Sequence, residues 1–101
     1  MDGRLYQFDW DEAKATANEA KHGVTFELAA SVFNDPSLLA VADVAHSEFE
    51  ERWFSVGMAR NGVLLSVVYL WWEDDPDVSK VRLISARKAT HSERGSYEEG
   101  L

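Results

Sequence analysis

The chain has 101 residues, of which 46% are hydrophobic and 28% charged, and it therefore forms one globular domain, residues 1–101, with room for a core. Its formal net charge of -8 disfavours binding of nucleic acid by the whole surface but leaves a local basic site open. No cysteine is present, which excludes disulfides, thiolate catalysis and cysteine-bound zinc. We find no signal-peptide pattern, and the longest apolar run is too short to span a bilayer, so we expect a cytoplasmic protein without membrane contact.

The first quarter of the chain predicts a short strand followed by a helix. Residues 5–8 form the strand, and the spacing of Asp9 and Glu12 is that of a capping box. The helix is expected over residues 10–22, and Gly23 ends it in the left-handed conformation. Apolar residues repeat at intervals of three and four and predict the buried stripe Trp10, Ala13, Ala17, Ala20 and Val24.

A second, shorter helix follows. Thr25 is suited to cap it, and Asn34-Asp35-Pro36 ends it. The residues expected to face inward are Phe26, Ala29, Ala30 and Phe33. The chain therefore begins with a strand and two helices, and the other predicted strands follow them.

The rest of the chain reads as a sheet, with strands over residues 38–43, 52–60, 63–72 and 80–86. Asn61-Gly62 is a strong hairpin signal, and a two-residue loop pairs Arg60 with Val63. That pairing places Phe54 opposite Tyr69 on one apolar face.

A short helix closes the chain. Residues 73–77 form an acidic loop before the last strand, and Thr90 with Glu93 makes a second capping box. The fold class that follows is α+β, with two N-terminal helices packed on an antiparallel sheet and a short C-terminal helix.

Cations are concentrated near the last strand. Between residues 80 and 94 Glu93 is the only acid, and the cations are Lys80, Arg82, Arg87, Lys88 and Arg94. An acidic protein therefore holds one basic segment, which is the first candidate for a functional site.

Several motifs occur together in a fixed order. They are Trp10-Asp11, Lys14-Ala15, Asn18, Lys21-His22-Gly23-Val24, Val32-Phe33-Asn34-Asp35-Pro36, Glu51-Arg52-Trp53, the run from Arg82 to Thr90, Glu93-Arg94 and Tyr97. This series resembles the BrnT family of bacterial type II toxin–antitoxin systems, over nearly the whole chain. The resemblance implies a RelE-like fold and a ribonuclease that inhibits translation. It also implies an antitoxin partner with a ribbon-helix-helix domain, so that DNA is reached only through the antitoxin.

A ribonuclease without a metal needs fixed cations to stabilise phosphoryl oxygens as the 2′-hydroxyl attacks the phosphate. Arg82 and Arg87 are the leading catalytic candidates, since guanidinium matches two phosphate oxygens, with Lys88 as a supporting cation. They stand five residues apart and serve one site only if the strand ends or bulges near Ala86. The alternative is that these cations form salt bridges to the many acids.

Further candidates come from the hairpin and the first helix. Arg52 with Glu51 precedes the hairpin, where Arg52 either reaches phosphate or pairs with a neighbouring acid. Tyr69 is either an RNA contact or a core tyrosine. Lys14, Lys21 and His22 are expected to bind substrate along one side of the first helix, or else form a solvated face that complements the helix dipole. For the general base, no motif decides between His22, His46, His91 and Glu51.

Two further features lie within residues 71–77 and bear on metal binding and on partners. The acids of residues 73–77 lack the spacing of a calcium loop, so we expect no metal and no other cofactor, and RNA cleavage that survives chelation. Trp71-Trp72 beside them suits a basic antitoxin segment.

Two functions from different classes remain after the sequence is read. One is a metal-independent endoribonuclease that a partner antitoxin silences. The other is a catalytically weak binding module that holds the antitoxin and modulates operon repression, which the net charge of -8 favours.

Overall fold

The computed structural model describes residues 5–42 and 52–100. The elements are β1 Leu5–Asp9, α1 Glu12–His22, α2 Phe26–Ala30, a 3-10 turn Ser31–Asn34, β2 Leu39–Ala42, β3 Arg52–Met58, β4 Leu64–Asp75, β5 Val78–Lys88 and α3 His91–Glu99. The predicted α+β class is confirmed. The five strands form one sheet in the order β1-β5-β4-β3-β2. β1 runs parallel to β5 and the other pairs are antiparallel, so the sheet is mixed, where an antiparallel one was expected.

Helix α1 begins later than predicted and has a different cap. The Asp11 side chain accepts a hydrogen bond from the Lys14 backbone N–H at 3.0 Å, and the helix starts at the next residue. The prediction that Asp9 caps this helix was wrong, because pairing with β5 extends β1 through Asp9 and sets it opposite Arg82. Gly23 does end the helix, with φ 69.

The buried side of α1 also differs from the prediction. Of the predicted stripe, Val24 is buried and Trp10 packs against the core, as expected. Ala13, Ala17 and Ala20 are exposed, and Asn18 is buried instead. Its amide bonds the backbone of Ala86 in both directions, donating to the carbonyl at 2.9 Å and accepting from the N–H at 3.0 Å. β1 pairs with β5 only as far as Arg82, so Asn18 satisfies the strand edge beyond that point. A polar anchor therefore holds this helix, where an apolar stripe was expected.

The β3–β4 hairpin has a three-residue loop, where a two-residue loop was predicted. Ala59 N–H donates to the Val63 carbonyl, and Gly62 N–H donates to the Ala59 carbonyl, each at 2.9 Å. Gly62 has φ 84, the left-handed residue that such a loop requires. The register therefore shifts by one residue from the prediction.

The shift changes which side chains share a face of the sheet. Trp53 lies opposite Tyr69, and Phe54 lies opposite Val68. The predicted pairing of Phe54 with Tyr69 was wrong, because a slip of one residue moves every side chain of a strand to the other face. Arg52 is consequently on the face away from Tyr69.

The core lies between the sheet and the layer formed by α1, α2 and the 3-10 turn. Its fully buried members include Phe26, Val32, Leu65, Val67, Val81 and Leu83. Thr25 caps α2 as predicted. β4 runs on to Asp75 and β5 starts at Val78, so the acidic stretch is mostly strand, where a loop was expected.

The C-terminal helix packs on the other face of the sheet. The predicted capping box of Thr90 and Glu93 is confirmed. Ser66 Oγ of β4 donates to Glu93 Oε1 at 2.6 Å, and the Tyr97 hydroxyl donates to Asp35 Oδ2 at 2.7 Å. Among the helices of residues 5–42 and 52–100, none is long and apolar enough to cross a membrane.

Candidate functional site: a cationic open face of the sheet

Side chains of β4 alternate between the two faces of the sheet. Tyr69 and Trp71 point to the helical layer, so Val68, Leu70 and Trp72 point the other way. α3 covers only the Ser66 end of this second face. Val68 and Leu70 are half-buried and Trp72 is 42% exposed. We call this area the open face; it comprises Val68, Leu70 and Trp72 with the residues paired to them, which are Phe54, Arg52, Lys80, Arg82 and Ser85.

A β-bulge brings the two leading arginines to the same face. Val68 pairs with Ser85 and Tyr69 pairs with Leu83, so Ile84 is the extra residue in β5. Arg82 pairs with Leu70 and Arg87 pairs with Ser66 of the same face. A site shared by Arg82 and Arg87 required the strand to end or bulge near Ala86. The bulge at Ile84, two residues before Ala86, meets that requirement.

Arg52 and Arg82 flank Leu70 from the two neighbouring strands. Two strand spacings separate their backbones, roughly 10 Å, which long side chains can close around one phosphate group. The Arg82 side chain is 44% exposed and meets Asp9 Oδ2 through Nη1 at 3.2 Å. An exposed single contact of this kind contributes little, so it leaves most of the guanidinium available to a ligand.

Arg87 has a different environment. Its Nη1 and Nη2 each donate to one oxygen of the Glu93 carboxylate at 2.8 Å. These hydrogen bonds, with those from Ser66 and the Thr90 backbone, lower the pKa of Glu93 to about 2, although burial opposes the shift. The same pair raises the pKa of Arg87. Arg87 therefore fastens α3 to the sheet, and we call this pair the α3 clasp.

The cations of α1 stand at the edge of the open face. The Asn18 side chain points at the edge of β5. The half-buried Ala15 and His22 lie on the side of Asn18 that is nearer the core. At about 100° per residue, Lys14 and Lys21 lie on the other side of Asn18, roughly 40–60° away. Both are exposed. Lys14 and Lys21 thus border the open face, and His22 is turned away from it.

Besides His22, two more predicted substrate contacts lie away from the open face. Tyr69 is 3% exposed, and its hydroxyl lies 2.5 Å from Ser55 Oγ on the helical side. Lys88 pairs with Leu65 at the exposed end of β5, on that same side. Glu51 and His46 lie outside the described residues. Arg52 and Arg82 are therefore the predicted catalytic residues that share the open face.

The sequence reading missed two aromatic side chains of the open face. Phe54 is half-buried beside Val68, and Trp72 is exposed beside Lys80. Phe54 was assigned to the core face because the loop length was misjudged. Trp72 was grouped with Trp71, although neighbours in a strand point to opposite faces. The alternation of side chains along a strand is the sequence signal that separates Trp72 from Trp71.

We also looked for side chains that could bind a metal ion together. Within residues 5–42 and 52–100, no three histidine, aspartate or glutamate side chains come together in a way that could hold an ion. The cations that the strands bring to the open face are Arg52, Lys80 and Arg82.

Comparisons with known proteins show the family and the fold of the chain. A family model described as "Ribonuclease toxin, BrnT, of type II toxin-antitoxin system" matches residues 10–93. The fold is similar to the 1.1 Å-resolution crystal structure of the Brucella abortus ribonuclease toxin BrnT, with a TM-score of 0.61 and 20% sequence identity, over 86% of this chain and 99% of that chain. At that identity the likeness concerns the fold alone. No curated protein sequence matches the chain.

Proposed function

Because this chain belongs to the BrnT family of ribonuclease toxins of type II toxin–antitoxin systems, we propose that its open face binds RNA and cleaves it without a metal ion. The observation that carries the proposal is the rung Arg52–Leu70–Arg82, in which two arginines from separate strands converge on one surface. Phosphate is the group that such a pair of rigid forks fits best.

In the proposed mechanism, a single strand of RNA lies across the open face. Bases stack on Phe54 and Trp72, whose rings accept any base. Arg82 and Arg52 hold the scissile phosphate, while the adjacent 2′-hydroxyl gives its proton to solvent and its oxygen attacks the phosphorus in line. The bond from phosphorus to the 5′-oxygen breaks, and the 5′-oxygen leaves as a hydroxyl after taking a proton from solvent. Negative charge grows on the phosphoryl oxygens, and the guanidinium groups are already in place to stabilise it. The product strand ends in a 2′,3′-cyclic phosphate.

The net charge of -8 affects how RNA reaches this surface. At low ionic strength the net charge repels RNA and slows encounter. At about 0.1 M salt this repulsion is screened beyond about 10 Å, and the local cations then dominate close to the open face. Lys14 and Lys21 at the border extend the attractive area. We therefore expect weak, salt-sensitive binding of RNA and a moderate rate of RNA cleavage.

The biological consequence we propose is inhibition of translation, through cleavage of RNA in the bacterial cytoplasm. The cognate antitoxin is proposed to carry a ribbon-helix-helix domain, so that contact with operator DNA is made by the antitoxin. A catalytically weak module that mainly holds the antitoxin remains the second candidate, because of the acidic surface. Growth arrest on expression of this chain alone, relieved by its antitoxin, favours the nuclease.

The direct test uses purified protein and a fluorescent single-stranded RNA. Cleavage should continue in excess EDTA, and 2′-O-methyl RNA should stay intact because the attacking hydroxyl is blocked. Loss of activity on chelation, restored by magnesium, would overturn the metal-free mechanism.

A second experiment assigns the arginines. Arg82→Ala should lower the cleavage rate about a hundred- to thousandfold, as loss of a preorganised donor does. Arg82→Lys should restore only part of it, because the fork is lost. Arg60→Ala removes an exposed cation from the hairpin loop and is the matched control. If Arg82→Ala and Arg52→Ala both keep full activity with unchanged thermal stability, the open face is not the nuclease site.

A further inference from the structure

A groove opens on the helical side of the sheet, opposite the proposed RNA site. Its volume is about 310 Å³, and it is lined mainly by Tyr6, Phe33, Trp53, Tyr69, Trp71 and Glu73. Five of these six residues are aromatic and the sixth is a carboxylate. The proposed nuclease mechanism uses none of them.

The rings of the groove are arranged edge to face. The ring centroids of Trp53 and Trp71 lie 6.2 Å apart at 77°, and those of Phe33 and Tyr69 lie 4.9 Å apart at 80°. All four of these residues line the groove. Ring faces carry negative potential and attract cations that come within about 6 Å.

One atom of the groove points to a ligand as well. Trp53 Nε1 is buried and finds no hydrogen-bond acceptor in the described part of the chain. A buried donor without an acceptor destabilises the folded state. The indole is thus positioned by packing alone, and a small tilt toward an incoming carbonyl oxygen would relieve this cost.

The chemistry of the occupant follows from these features. Aromatic faces beside the Glu73 carboxylate select a side chain with a long apolar stem and a cationic end. The formal net charge of the chain is -8, so its electrostatic field attracts a basic segment. RNA is excluded by the same field and by the absence of any described arginine or lysine from the lining.

We propose that this groove is the docking site for a basic segment of the cognate antitoxin, which places an arginine or lysine beside the Trp53 and Trp71 rings and pairs it with Glu73. The inference rests on the family's toxin–antitoxin pairing and is independent of the RNA site proposed above. The groove and the open face lie on opposite sides of the sheet. An antitoxin anchored in the groove therefore needs a second segment to block RNA.

The test measures binding of the purified antitoxin encoded beside this gene, by isothermal titration calorimetry. Trp71→Leu should raise the dissociation constant about tenfold or more, as loss of a central aromatic anchor does. The matched comparison is Trp72→Leu, the next residue on the other face, which should weaken antitoxin binding less than Trp71→Leu does. RNA cleavage should show the opposite pattern, impaired by Trp72→Leu and intact in Trp71→Leu.

A second variant guards against a folding defect in Trp71→Leu. Glu73 is exposed, and Glu73→Gln should weaken antitoxin binding severalfold and reduce its dependence on salt. Glu27→Gln removes the same charge from an exposed position on helix α2 and should change neither. Unchanged affinity in both Trp71→Leu and Glu73→Gln would overturn the proposal. So would a shift from dimer to monomer in these variants without antitoxin, because the occupant would then be a second copy of the chain.

Discussion

Replacing Glu93 by glutamine should destabilise the protein by breaking the α3 clasp. The carboxylate accepts two hydrogen bonds from Arg87 and others from Ser66 and the Thr90 backbone. Its pKa falls from 4.5 to about 2 in the folded state. At about 1.4 kcal/mol for each pKa unit, this difference sets an upper limit of about 3 kcal/mol.

Solvent reduces that figure, since the Arg87 side chain is 40% exposed. We expect Glu93→Gln to lower the free energy of unfolding by roughly 1.5 kcal/mol at neutral pH, which halves the upper limit for screening. For a domain of this size the midpoint of thermal unfolding should fall by roughly 6–12 °C.

The loss should depend on pH in one direction. Because the folded-state pKa of Glu93 is depressed, the unfolded chain takes up the proton first as the pH falls. The stabilisation is therefore complete above about pH 5 and is lost progressively between pH 4.5 and about 2. The difference between wild type and Glu93→Gln should be smaller at pH 3 than at pH 7.

The assay is urea unfolding followed by circular dichroism at both pH values. The control is Glu98→Gln, an exposed acid on the same helix, which should change stability by less than about 0.5 kcal/mol. Equal stability of wild type and Glu93→Gln at pH 7, or a difference that does not shrink at pH 3, would refute the clasp as described.

Three further changes test the packing. Asn18→Ala should cost about 2–4 kcal/mol of unfolding free energy in urea titrations, because it leaves the buried N–H and carbonyl of Ala86 without partners. Gly57→Ala should lower the thermal midpoint, at a cost of about 1–3 kcal/mol, since the new methyl would stand 2.6 Å from Leu38 Cδ1. Gly62→Ala should destabilise by about 1–2 kcal/mol, measured the same way, because its φ of 84 is unfavourable for alanine.

Local signals in the sequence were sufficient for the ends of the helices. Thr25, the Thr90–Glu93 box and Gly23 act through contacts within four residues, so their chemistry is visible in the sequence itself. Asp9 had the same kind of signal and failed, because a distant strand, β5, competes for that stretch of backbone. Pairing over such separations leaves no local mark.

The site was harder to predict than the fold. The candidate cations Arg52, Arg82 and Arg87 were named from the sequence, but their common face depends on a loop one residue longer than expected and on a bulge at Ile84. Each of these reverses side-chain direction along a strand. The burial of Asn18 was equally hidden, since its partner is backbone from the other end of the chain.

The central claim, that RNA lies on the open face, is tested most directly by cross-linking. A 2′-O-methyl RNA carrying photoreactive bases should bind without being cut, and its cross-links can be mapped by mass spectrometry. We predict attachment at Phe54 and Trp72, and none at Trp71. Cross-links concentrated at Trp71 or elsewhere on the helical side, with Phe54 and Trp72 unmodified, would contradict the account.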